Sequence, residues 1–405
     1  MLETILIVGA GQTAAVAIRT LRRRGFDGRI ILIGAEADLP YQRPPLSKEY
    51  LLGEQDRSEL DLLPAQWCEH NGVETCTGAE VRRVDTGGGG VELSDGSRIS
   101  GDAVLLATGG RPRRLSVDGD EHVHYLRTLA DADRIRTLIR PDAHVIVVGA
   151  GFIGSELASS ARTRGAAVTV LEQAACPFGN VVGPVIGDVC AAAQREHGVD
   201  LRTATTVTEV GRTSAGTFVR TGSGAVIEGD IVVAGVGMLP NAELARDSGI
   251  ATDDGVLVDE YCRTSAANVF AAGDVARHHH PLFGRRMRVE HFDNASKQGM
   301  TAAKNILGRP TAYTDPHWFW SDQFGLNLQC IGRTSNADDI VIRGRLDAFD
   351  FTAFYLEEGV LRAAFTVERG GDVPLAGALI TQQVRPDVDA LRDEDHDLAD
   401  LLTTA

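Results

Sequence analysis

The sequence lacks the cysteine spacing that builds metal knuckles and redox dithiols. Its six cysteines stand at 68, 76, 176, 190, 262 and 330, with no CxxC or CxxxxC pair. No local zinc site or catalytic disulfide is encoded, and no metal is expected. The cysteines read as small apolar side chains of a reduced protein. Positive charge is also short: 40 Lys and Arg against 56 Asp and Glu leave −16 at pH 7. That argues against a general nucleic-acid binder, which needs cationic surface to displace counterions from phosphate. No apolar run approaches the ~20 residues that cross a bilayer. The opening Met-Leu-Glu-Thr-Ile-Leu-Ile-Val-Gly carries an acid and no basic n-region, unlike a signal peptide. The expectation is a cytoplasmic enzyme of two to four domains, at ~100–200 residues per domain.

Glycine is abundant, at 45 residues, and it is ordered. Ile5-Leu6-Ile7-Val8-Gly9-Ala10-Gly11-Gln12-Thr13-Ala14 repeats as Val145-Ile146-Val147-Val148-Gly149-Ala150-Gly151-Phe152-Ile153-Gly154, at a constant offset of 140. Gly25 and Gly165 keep the offset where each following helix should end. Each copy then enters a second apolar strand closed by an acid, Arg29 to Glu36 and Ala167 to Glu172. Two βαβ units are written in the chain.

Each unit reads as a dinucleotide fingerprint. The first glycine permits the tight turn, the second admits a pyrophosphate to the backbone, and the third position must be small for helix and strand to pack. Unpaired N–H groups at the helix start favour the phosphates. Glu36 lies 22 residues after Ala14, and Glu172 lies 18 after Gly154; both spacings suit a carboxylate on a ribose diol. Two dinucleotides on one chain point to FAD, held permanently, and a nicotinamide that exchanges.

Further segments carry a resemblance. Ala103 to Pro112 and Asp230 to Asn241 are strands that run into Gly-Pro crossings, and Asn268 to Asp274 is a strand ending in Gly-Asp. With Leu39-Pro40-Tyr41-Gln42-Arg43-Pro44-Pro45-Leu46-Ser47-Lys48, Leu126-Arg127-Thr128-Leu129 and Trp318-Phe319-Trp320-Ser321-Asp322-Gln323, they resemble the glutathione-reductase-type flavoproteins. Within that group the likeness is to the FAD-dependent NADH:ferredoxin reductases, which serve bacterial haem monooxygenases and Rieske-type dioxygenases. The alternatives within the superfamily are a thiol-dependent NADH oxidase or disulfide reductase, and a redox flavoprotein of the apoptosis-inducing-factor type.

The resemblance implies an α/β fold with two Rossmann-like dinucleotide-binding domains and an α+β C-terminal domain. Residues 1–110 and 240–312 would form the FAD-binding domain, 111–239 the NAD-binding domain, and 313–405 the C-terminal domain. It implies FAD on the first fingerprint: Gly9, Gly11 and Ala14 at the pyrophosphate, Glu36 at the adenosine ribose, Val81 at the adenine end. Arg43 and Lys48 lie on the loop that reaches the flavin; Ala107, Thr108, Gly109 and Arg127 line the channel; Asp274 binds the ribitol. Glu290, His291 and Phe292 complete that side, with phenylalanine where relatives usually carry tryptophan. NADH falls to Gly149, Gly151, Phe152, Ile153, Gly154, Glu172, Gly235, Val236 and Gly237.

Three residues are expected at the reactive centre. Lys48 follows a stiff Pro44-Pro45 segment and would place a cation at the flavin, Glu156 would pair with it, and Trp320 would cover the ring. No cation follows Glu172 through Asn180; NADH is therefore preferred over NADPH, although many relatives have arginines at the places of Cys176 and Asn180. The electron acceptor would be a two-iron ferredoxin. Ferredoxins of this kind are acidic, so docking needs a local cationic patch. The stretch with Arg277, His278, His279, His280, Arg285, Arg286 and Arg288 has no acid from Val275 to Val289 and offers one.

Overall fold

The computed structural model describes residues 2–214 and 216–402. The chain divides into two compact units. The first holds residues up to Gln42, Arg57–Arg111 and Met238–Asp315; the second holds Arg43–Asp56, Pro112–Gly237 and the chain from Pro316 onward. No helix among the described residues is long and apolar enough to cross a membrane.

In the first unit the strand Thr4–Val8 is central because it is apolar and buried from Ile5 to Val8, as a strand covered on both faces must be. Parallel neighbours are Arg29–Gly34 and Ala103–Leu106, flanked by Val73–Thr77 and Val269–Ala271. Ile5, Leu6, Ile7, Ile30, Leu32 and Leu105 are fully buried. The helix Gln12–Arg23 returns from the first strand and packs against Phe292–Ile306. Gly299 makes this approach close, since a Cβ there would stand 2.6 Å from the Thr13 carbonyl.

The second unit repeats the plan. His144–Val148 pairs in parallel with Ala167–Leu171 and Ile231–Ala234, and Asp200–Arg202 and His124–Tyr125 close the edges. A further sheet runs Trp318–Gln323, Leu326–Gly332, Val360–Val367, Asp350–Glu357, Asp339–Arg345 in spatial order, all antiparallel. The helix Asp372–Thr381 covers it. The helix Gly179–Glu196 breaks at Gly183 and Pro184, and the Tyr355 hydroxyl donates to the Val182 carbonyl at 2.7 Å.

Two attachments in this unit join distant pieces of sequence. Leu51, from the short segment Arg43–Asp56, is fully buried in a core with Ile135, Val145 and Leu157. Tyr50 donates to Asp133 at 2.8 Å, and Arg164 donates to the Leu51 carbonyl at 3.0 Å. At the other end of the chain, buried Arg343 donates to the carbonyls of Asp393, Glu394 and His396 at 2.6, 3.2 and 2.9 Å.

Candidate functional site

Both glycine turns have the geometry that their sequence demands. Gly9 and Gly149 hold φ values of 109° and 96°, which side-chain-bearing residues rarely adopt. A Cβ on Gly9 would lie 2.1 Å from the Ala107 carbonyl, and one on Gly149 would lie 2.6 Å from that of Gly235. Ala107 and Gly235 thus form the second wall of each turn. Gly11 and Gly151 stand at the helix N-caps, and neither start has a side-chain cap or an acid in its first turn. The leading N–H groups and the positive dipole end remain for an anion. Beside Gly11 there is open space, with nothing within 4 Å of a Cβ. These cradles fit a pyrophosphate.

The third positions differ. Ala14 is fully buried, whereas a Cβ on Gly154 would meet the Gly149 carbonyl at 2.0 Å. Ile153, between them in the second turn, is 44% exposed although apolar.

In the first unit the expected residues gather at the carboxyl ends of the parallel strands, where open α/β sheets bind ligands. Glu36 accepts from the Tyr41 hydroxyl at 2.6 Å. Thr108 and Gly109 are latched to Asn241: the Thr108 hydroxyl donates to its carbonyl, the Asn241 amide donates back, and the Asn241 N–H donates to Gly109, at 2.9, 2.9 and 3.0 Å. Gly273 abuts the Thr13 side chain, with 2.2 Å to an added Cβ, so Asp274 follows directly beside the first fingerprint helix. Asp274 also faces His291, whose burial pushes its pKa down to about 4 while the carboxylate draws it back. Phe292 begins the helix that packs on the fingerprint helix. Val81 belongs to the core beside Ile33, and Glu290 is ion-paired with Arg288.

Behind Asp274 lies an interaction that the sequence did not announce. Gln298 accepts the Gly273 N–H at 2.8 Å, so its amide nitrogen donates to His278 Nδ1 at 2.9 Å. His278 is therefore neutral with its proton on Nε2, and burial holds its pKa down at about 3.

In the second unit Glu172 is gripped by backbone: Ala150 N–H donates to Oε2 at 2.6 Å and Ala174 N–H to Oε1 at 2.7 Å. The carboxylate is held at the strand end beside the glycine turn. Phe152 stacks on Phe178, with centroids 4.6 Å apart. Gly235, Val236 and Gly237 continue from the neighbouring strand, and the Val236 side chain lies 3.3 Å from the place of a Gly149 Cβ.

The same unit brings Lys48, Glu156 and Trp320 together. The 3₁₀ turn Pro44–Ser47 delivers Lys48, which is buried. Lys48 Nζ lies 3.6 Å from Glu156 Oε1, 3.9 Å from Asp322 Oδ2 and 5.6 Å from the Trp320 ring centre. Trp320 stacks on Trp318 at 5.2 Å. Burial pushes the Glu156 pKa up, against the pull of Lys48, Ser47 and Ser321. Arg43 donates to the Arg127 carbonyl at 2.7 Å, just ahead of the Thr128 capping box.

The proposed cationic stretch is corrected by its three-dimensional surroundings. His278 and His280 are buried. Arg277 is ion-paired with Asp253, and Arg288 with Asp254 and Glu290. Asp253 and Asp254 from a separate segment, and Glu290 just past the run, neutralise what the stretch itself left uncompensated. Arg285 and Arg286 remain exposed, with Arg286 donating to the Val258 carbonyl at 3.1 Å.

Comparison with known proteins agrees along the whole chain. Residues 3–299 match the pyridine nucleotide-disulphide oxidoreductase family and residues 318–402 the reductase C-terminal family. Rhodocoxin reductase of Rhodococcus erythropolis is 38% identical over 400 residues, covering 98% of this chain and 93% of that one. The ferredoxin–NAD(+) reductase component of the Burkholderia cepacia anthranilate 1,2-dioxygenase system is 37% identical over 395 residues, covering 96% and 97%. The crystal structure of a covalent putidaredoxin reductase–putidaredoxin complex superposes with a TM-score of 0.96 at 33% identity, covering 100% of this chain and 99% of that one.

Proposed function

We propose a reaction for this chain from one premise: it belongs to the pyridine nucleotide-disulphide oxidoreductases, as one of the FAD-dependent ferredoxin–NAD(+) reductases. It carries electrons from NADH through FAD to a two-iron ferredoxin that feeds an oxygenase. The observation that carries this reading is the pair of uncapped glycine turns, each backed by an acid one strand away. The family name does not import disulfide chemistry. All six cysteines are free, five are buried, and none lies in the first fingerprint helix.

The chemistry FAD supplies when bound is acceptance of a hydride and release of its two electrons singly. The chain's own residues bind and tune. In our reading Gly9, Gly11, Ala14 and Ala107 approach the FAD pyrophosphate, Glu36 takes the ribose, Val81 meets the adenine end, and Asp274 takes the ribitol. Thr108, Gly109, Arg43 and Arg127 line the channel, with Glu290, His291 and Phe292. Gly149, Gly151, Gly154, Phe152, Ile153 and Gly235 to Gly237 receive NADH, and Glu172 accepts from its ribose diol. Lys48 presents a fixed cation to the flavin, Glu156 balances it, and Trp320 covers the ring.

A carboxylate already positioned by two N–H groups favours an uncharged ribose hydroxyl over a phosphate, hence NADH. The reading keeps three domains, with residues 1–110 and 240–312 for FAD, 111–239 for NAD and 313–405 at the C-terminal end. It keeps ferredoxin docking at Arg285 and Arg286, and it places the protein in the cytoplasm, where free thiols persist.

The test is NADH-driven cytochrome c reduction by the purified yellow protein, with and without an added two-iron ferredoxin. Strong stimulation by ferredoxin is expected. Fast NADH oxidation that no ferredoxin stimulates would overturn the reading.

A further inference from the structure

The Glu156 carboxylate is almost wholly buried, at 4% exposure, and three donors surround it. Ser47 Oγ donates to Oε2 at 2.5 Å and Ser321 Oγ to Oε1 at 2.7 Å. Lys48 Nζ stands off at 3.6 Å, too far for a good hydrogen bond. The lysine therefore supplies charge, and the two serines supply hydrogen bonds that favour the carboxylate form against its burial.

The serines are not equivalent. Ser47 Oγ has a second acceptor, the Pro44 carbonyl at 3.3 Å. Ser321 Oγ instead receives the side-chain amide of Gln323 at 3.2 Å. That contact fills an acceptor position and leaves the single O–H for Glu156. Ser321 and Gln323 are both buried, on the strand Trp318–Gln323. The charged groups around Glu156 are Lys48 from the Pro44–Ser47 turn and Asp322 from this strand, with Asp322 held by the Asn327 amide at 2.6 Å. Its own helix adds no other charge from Phe152 to Ala161.

We propose that Ser321 is a positioning residue for the reductase reaction: its hydroxyl, aimed by Gln323, favours the carboxylate form of Glu156 and so steadies Lys48 beside Trp320. This rests on the reading that Lys48 serves the flavin. Ser321 touches no reacting atom. It acts on the carboxylate, and the carboxylate acts on the lysine.

The experiment uses the flavin-loaded protein and reads Glu156 directly. The infrared carbonyl band of its protonated form, identified by its loss in Glu156→Gln, is followed against pH. In Ser321→Ala the band should persist to a pH about one unit higher than in the parent protein. That is a tenfold change in the ratio of protonated to ionised carboxyl, or about 1.4 kcal/mol. Ser321→Thr, which keeps the hydroxyl, should restore the parent value. The acid limb of anaerobic flavin reduction by NADH should move by the same amount.

Gln323→Leu leaves the hydroxyl but removes its guide, and should shift the band in the same direction, so the test survives poor folding of Ser321→Ala. An unmoved band in both variants overturns the proposal. If the band moves but Lys48→Met and Glu156→Gln reduce flavin at the parent rate, the reading of Lys48 fails. The assignment of Ser321 to the reaction then falls with it.

Discussion

Replacing Gly154 by alanine tests whether the second glycine turn is a nucleotide site or merely a tight connection. The added Cβ would stand 2.0 Å from the Gly149 carbonyl and 3.4 Å from the Val147 side chain. Real Cβ atoms essentially never come within 3.0 Å of a neighbour, so the strand end and the helix start must part by at least the 1.0 Å difference. Overpacking of this kind costs about 1–3 kcal/mol of stability. The larger effect is on the reaction, because the displaced helix start carries both the uncapped N–H groups and Glu156. A misplacement of about 1 Å costs on the order of 100-fold in rate. The expected outcome is a fall of about 100-fold in kcat/KM for NADH, with flavin content unchanged. Ala14→Gly, at the matching place in the first turn, removes a methyl and should lose only about 1 kcal/mol of stability. Stopped-flow flavin reduction and the absorbance ratio of flavin to protein give both readouts. A Gly154→Ala protein that stays yellow and keeps kcat/KM within threefold of the parent would refute the reasoning.

Other perturbations reach other parts of the structure. Glu172→Ala combined with Asn180→Arg should move the NADPH to NADH ratio of kcat/KM at least about tenfold toward NADPH, since it removes a carboxylate and adds a cation near a 2′-phosphate. Asp274→Ala should lower the FAD content of the purified protein, measured by absorbance after gel filtration, while leaving circular dichroism unchanged. His278 is held neutral in the fold, with a pKa near 3 against 6.5 for the free side chain. The unfolded chain thus binds the extra proton first, and stability falls as pH drops below 6.5, by roughly 3 kcal/mol at pH 4.5. Urea midpoints across that range should be flatter in His278→Asn, and equal slopes would contradict a neutral His278 in the fold. Charge reversal at Arg285 and Arg286 should raise KM for ferredoxin and weaken its salt dependence; kinetics unaltered in both respects would remove these residues from the docking surface.

Much of this architecture was legible because glycine at a strand-to-helix turn answers a local steric demand. The repeat at offset 140 required only that a Cβ be absent at Gly9, Gly149 and Gly154, and the close approaches to Ala107, Gly235 and Gly149 show why. The acids at Glu36 and Glu172 were legible for the same local reason, since each closes a strand. What escaped depends on contacts between pieces far apart in sequence. The Arg277 to Arg288 stretch looked cationic because Asp253, Asp254 and Glu290 lie outside its run. The grip of Ala150 and Ala174 on Glu172, the Asn241 latch on Thr108, and the two serines around Glu156 leave no periodic trace. Ser321 was visible only as a letter in a tryptophan-rich motif, with nothing to say that its hydroxyl meets a helix 165 residues earlier.

The segmentation of the chain also sets an order of assembly. Every piece of the first unit has been made once Asp315 is reached, whereas the second needs Arg43–Asp56, the middle of the chain and the stretch from Pro316 onward. Leu51, made early, finds its buried partners only after Ile135, Val145 and Leu157 appear, and Arg343 must wait for carbonyls at 393 to 396. Contacts of such long sequence separation are slow to form. On the ribosome, then, the half bearing the first glycine turn can mature while the half bearing Lys48 still lacks the carbonyls at 393 to 396 that the buried guanidinium binds.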